Sequence, residues 1–108
     1  MPNYLMIESR DPFEARGFAQ RCELALTLRA DGAGVTLFLV ENGVLGARHS
    51  ARLRELDKLA KAGVRLLADE FAMRERGMVA NELAPQVAAA NLDALVGELA
   101  GGAKAIWN

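Results

Sequence analysis

The chain has 108 residues, of which 52% are hydrophobic and 25% charged, and its 13 basic and 14 acidic side chains leave a formal net charge of −1. That balance excludes a disordered chain, and without a clustered basic face no nucleic-acid partner is expected. The length suits one hydrophobic core, so a single domain over residues 1–108 is expected.

Tyr4 to Glu8 (YLMIE) is short and apolar and reads as a first strand. Asp11 or Ser9 can cap a helix with Pro12 in its first turn. That helix is expected over Pro12 to Arg29, with Ala15, Phe18, Ala19, Cys22, Ala25 and Leu26 on one face. Asp31-Gly32 ends it. Val35 to Val40 (VTLFLV) lacks polar alternation beyond Thr36 and reads as a strand covered on both faces. Glu41-Asn42-Gly43 signals a turn. A helix from about Ser50 to Ala62 follows, burying Leu53, Leu56, Leu59 and Ala60 and turning Arg52, Arg54, Glu55 and Lys58 outward. After Gly63, Val64 to Ala68 (VRLLA) is a third strand, and Asp69-Glu70 opens a short helix through Arg74 that Gly77 ends. Ala84 to Leu99 is expected as one helix carrying Val87, Leu92, Leu95, Val96 and Leu99. Gly101-Gly102 stops it before a last strand, Ala105 to Trp107; a short strand near Met78-Val79 is a further option.

Strands alternating with helices imply a three-layer α/β/α domain around a short, mostly parallel sheet of about four to five strands. In such sheets the polar site lies outside the carboxyl ends of the strands. Those ends are Glu8-Ser9-Arg10, Glu41-Asn42-Gly43 and Asp69-Glu70, which makes Ser9, Arg10, Asn42, Gly43, Asp69, Glu70 and Arg74 the candidate pocket. Two readings stand for Asp69: a binding or acid–base carboxylate, or a cap for the helix it opens. Glu70 can be a plain first-turn acid. Arg74 and Arg76 can bind an anion or sit on a solvated face. His49, the single histidine, can be a proton shuttle or an exposed loop residue. Trp107 can pack in a subunit interface or against the sheet edge.

One thiol cannot form an internal disulfide, and no cysteine/histidine spacing suggests zinc, so neither metal nor cofactor is expected. Cys22 falls mid-helix on the apolar face, where a free cysteine behaves as a small buried hydrophobe; its other reading is a reactive thiol. The opening MPNYLMIESRDP has no basic n-region. No apolar run approaches the ~18 residues of a membrane span. A cytoplasmic protein without a membrane partner is therefore expected.

The order of segments resembles the DsrE/DsrF-like family, including the TusD-type sulfur carriers. The likeness spans most of the chain: ALTLRADG, then VTLFLVENGV, then LDKLAKAGVRLLADEFAMRERGM, and a final KAIWN after a helix and Gly-Gly. Sulfur-carrying members place a cysteine directly after the third strand, eight residues before the glycine of Arg76-Gly77; here that position is Asp69. A carboxylate cannot accept sulfur as a persulfide, so the carrier role does not transfer to it. The resemblance implies a DsrE-like fold and a non-catalytic binding or scaffold subunit related to sulfur relay. It also implies a homo-oligomer, trimer or hexamer, with a sulfur-relay protein as a possible partner. Two alternatives remain: a carboxylate enzyme holding Mg²⁺ through Glu8, Glu41 and Asp69, and a sulfurtransferase acting through Cys22.

Overall fold

The computed structural model describes residues 2–107, in which five strands form one sheet. They are β1 (Asn3–Glu8), β2 (Gly34–Leu39), β3 (Arg65–Asp69), β4 (Val87–Ala90) and β5 (Lys104–Trp107). The order is β4-β3-β2-β1-β5 and every pairing is parallel. Four helices connect them: α1 (Phe18–Ala30), α2 (Arg54–Lys61), α3 (Glu70–Glu75) and α4 (Leu92–Ala100). The expected α/β fold is present, and its sheet is wholly parallel. Asn108, the last residue of the KAIWN segment, lies outside the described residues.

Side-chain alternation along the strands divides the core in two. Met6, Leu37, Leu39, Leu66 and Ala68 face the side covered by α1, α2 and α3, where Phe18, Leu56, Leu59 and Met73 complete the larger cluster. Leu5, Ile7, Phe38, Val40 and Leu67 face the other side, covered only by Ala94 and Leu95 of α4 and by Ala90 and Ala103. β2 is buried on both faces because it sits mid-sheet, as its unbroken apolar run implies. Phe38 is fully enclosed, and burying such a ring contributes roughly 1.5–3 kcal/mol.

Several expectations need correcting. The first helix begins at Phe18, not Pro12. Asp11 does nucleate a turn, its carboxyl accepting from the Phe13 N–H at 3.1 Å. Gly17 then takes φ +80°, a left-handed conformation that prevents the turn from running into α1. Phe18, Cys22 and Ala25 of the expected face are buried, while Ala19 at its margin is exposed. The second helix begins at Arg54, not Ser50. The chain before it forms 3-10 turns, Glu41–Ala47 and His49–Ala51, and is tied sideways by an Arg48–Leu83 bridge and by the Ala84 N–H on the Ala47 carbonyl at 2.8 Å. The expected helix from Ala84 to Leu99 is two elements, β4 and α4. The fourth strand is therefore Val87–Ala90, and Met78-Val79 lies in no strand. Val-Ala-Ala-Ala has helical propensity, but the open edge of β3 supplies a ladder that overrides it. Asn91 then caps α4 by accepting from the Asp93 N–H at 3.0 Å. Finally, α4 buries none of its residues fully: Leu92, Val96 and Leu99 face outward.

Candidate functional site

β3 ends on Asp69, and α3 begins at once. The Asp69 side chain is buried at 5% exposure and its Oδ2 accepts from the Ala72 N–H at 3.2 Å, so it caps α3 as the strand–helix junction requires. Its second oxygen, Oδ1, is buried with no hydrogen-bond partner. Buried carboxyl oxygens are rarely left so, and one that is marks a place where a donor is missing from the fold.

Asp69 follows Leu67 by two residues, so it emerges on the thinly covered face of the sheet. There it lines a cavity of about 470 Å³ whose other polar side chains are Glu41 and Glu75. The apolar lining comes from Val40, Phe71, Leu92, Leu95 and Trp107. Glu41 stands immediately beyond Val40, at φ +48°, and begins the first 3-10 turn. Phe71 and Trp107 stay largely open, at 54% and 66% exposure.

Of the seven residues read from the sequence as the candidate pocket, Asp69 alone lines this cavity, joined by Glu41, read as a strand-end carboxylate, and by Trp107. Asn42 accepts at Oδ1 from Arg76 Nε at 3.0 Å, joining the turn after β2 to the end of α3. Gly43 is buried against the end of β1. Glu70 is a half-buried first-turn residue of α3, and Arg74 lies 6.0 Å from the centre of the Phe71 ring. Ser9 and Arg10 follow β1, half-buried and exposed respectively. His49 is exposed and sits with Arg48, Arg52 and Arg54 around a separate hollow. Reading the strand ends found Asp69 and Glu41 but missed Glu75, Phe71, Leu92 and Leu95. The last two come from α4, whose start was invisible while β4 was read as helix.

The carboxylate trio expected to hold Mg²⁺ does not gather. Glu8 points to the opposite face from Asp69 and is bound there by Arg21 through two contacts, one of them Nη2 to Oε2 at 3.2 Å. Among the described residues no group of three His, Cys, Asp or Glu side chains is placed to hold a metal ion. Cys22 also lies on that far side, buried at 6% exposure. Burial pushes its thiol up to about 12, and the nearby carboxyls of Glu55 and Glu8 push the same way against the smaller opposing effect of Arg21. The sheet thus separates the one thiol from the Asp69 cavity.

The whole arrangement superimposes on solved proteins. Protein ychN from E. coli matches with a TM-score of 0.88 at 17% identity, over 100% of both chains. MTH1491 from Methanobacterium thermoautotrophicum matches with a TM-score of 0.87 at 18% identity, again over 100% of both chains. The chain has the ychN/MTH1491 fold. Those two neighbours belong to the DsrE-like fold family, which bears out the expected architecture. BT1422 from Bacteroides thetaiotaomicron is similar at a TM-score of 0.75 and 17% identity, covering 97% of this chain and 94% of its own. MTH1491 and BT1422 are themselves proteins of unknown function, so these likenesses carry the fold alone. No protein-family model matches the chain, and no curated protein matches it in sequence. Among the described residues no helix is long and apolar enough to cross a membrane.

Proposed function

We propose that this chain is a non-catalytic, single-domain subunit related to intracellular sulfur relay, which presents the Asp69 cavity to a ligand or to a relay partner in the cytoplasm. One observation carries the reading. An aspartate stands at the strand end where the resembling sulfur carriers have their cysteine, and it is fully committed to the fold at one oxygen. The only thiol in the chain is buried on the other side of the sheet and protonated at neutral pH, so it is neither placed nor ionised to attack sulfur.

The test uses Cys22 directly. After exposure to inorganic polysulfide, intact-mass spectrometry is expected to show no added sulfur. Iodoacetamide at about pH 8 is expected to alkylate Cys22 of the folded protein about a thousandfold more slowly than a free cysteine, from the difference in thiolate fraction alone. A persulfide that forms on Cys22 and passes to an acceptor thiol overturns the non-catalytic reading.

Self-association belongs to the same proposal. The outer face of α4 leaves Val96 and Leu99 exposed, neither of them lining the cavity, and gives an apolar surface suited to another subunit. Light scattering at micromolar concentration is expected to give the mass of a trimer or hexamer of the 11.6 kDa chain. A mass near one chain contradicts it.

A further inference from the structure

We propose that the Asp69 cavity binds an organic ammonium ion, a primary amine on an apolar body. The inference rests on the reading of this cavity as a binding site and names the chemistry of its ligand.

Three carboxyl side chains, Asp69, Glu41 and Glu75, line the cavity, and no lysine, arginine or histidine does. Two cations touch residues of its wall without lining it. Arg76 binds Asn42 and reaches Glu75 only at 3.9 Å, while Arg74 rests over the Phe71 ring. Oδ1 of Asp69 is buried and receives no hydrogen bond from the fold, which leaves it an open acceptor that a bound donor can satisfy. A primary ammonium supplies that donor together with the opposite charge, and a charge-assisted bond is the stronger kind. The remaining lining is apolar and includes two aromatic rings; Trp107 offers a face that attracts cations, while Phe71, already beneath Arg74, adds area that buries a hydrocarbon body. The cavity, about 470 Å³, has room for a ligand of a single ring and a short chain.

Trp107 is the only tryptophan and lines the cavity, so its fluorescence reports occupancy. The full-length protein, in whatever assembly it adopts, is titrated with 2-phenylethylammonium, with the neutral 2-phenylethanol and with phenylacetate. Saturable binding of the ammonium is expected, about tenfold or more tighter than the alcohol, with no binding of the carboxylate. Asp69→Asn is expected to weaken ammonium binding about tenfold or more while keeping the fold, because the amide oxygen can still accept the Ala72 N–H. Glu41→Gln, at an exposed position outside the core, is expected to weaken it several-fold and guards against misfolding of the first variant. Equal affinity for alcohol and ammonium, no saturable signal, or an unchanged affinity in Asp69→Asn each overturns the proposal. So does an Asp69→Asn protein that dissociates into smaller assemblies while the unmutated protein ignores the ammonium, since a donor from a second chain then fills the site. None of these outcomes touches the polysulfide result at Cys22, so the two readings fail separately.

Discussion

Replacing Arg21 by methionine is expected to destabilise the fold by about 3 kcal/mol and to lower its melting temperature by roughly 15 °C. The reason lies at the end of β1, where Glu8 brings a carboxyl group to the inside of the α1 layer with its side chain only 2% exposed. Arg21, one turn into α1, reaches it with Nε and Nη2 and anchors its remaining nitrogen, Nη1, on the Arg16 carbonyl at 2.9 Å. Methionine keeps much of the volume of the arginine stem but removes the charge that Glu8 binds through two contacts, so the cost is the loss of that ion pair in a dry site. Urea unfolding measures it. The double variant Arg21→Met/Glu8→Met is expected to recover most of the loss, because an apolar pair of similar size carries no carboxylate to desolvate. A single-variant loss below about 1 kcal/mol would show that Arg21 merely decorates the surface.

The second large effect is expected at Gly43. A methyl group there would stand 2.3 Å from the Glu8 carbonyl oxygen and 3.2 Å from its carbon, and both obstacles are backbone. That carbonyl already accepts the Val40 N–H at 2.9 Å, and the Gly43 N–H itself binds the Val40 carbonyl at 2.8 Å. Neither strand end can withdraw without breaking one of these bonds. Gly43→Ala is therefore expected to cost about 3 kcal/mol, the upper range for overpacking. Denaturant midpoints at unchanged slope would measure it, and a cost within about 0.5 kcal/mol of zero would mean that the turn after β2 yields freely. Because Val40 and Glu41 line the Asp69 cavity, the same variant links the steric fit of one small residue to the shape of the site.

These two positions differ in how visible they are beforehand. Glu8 and Arg21 lie 13 residues apart, and nothing in their types or spacing pairs them. The contact exists only because α1 folds back across the face toward which Glu8 points. Gly43 reads correctly as part of a turn, yet its need for a bare Cα comes from β1 passing beneath it.

Three strands were plain in the chain, since Tyr4–Glu8, Val35–Val40 and Val64–Ala68 concentrate apolar and β-branched residues in runs too short for helices. Asp69 was equally plain as a strand-to-helix junction, because an acid between an apolar run and a helical segment is a natural cap. β4 was hidden: four residues of valine and alanine carry no strand signature of their own. They pair only because β3 presents an open edge beside them.

By itself the sequence determined the parallel α/β class, the three inner strands, the placement of Asp69 at a strand end and the absence of a second thiol. These depend on local composition, on periodicity and on which atoms a side chain carries. Tertiary structure alone decided that α4 crosses from one edge of the sheet to the other, bringing Leu92 and Leu95 to the cavity, and that β5 sets Trp107 at its wall. It also decided that Glu8 and Cys22 lie across the sheet from Asp69. A strand turns successive side chains to opposite faces, and which face a helix then covers is set by long-range packing that no local pattern encodes.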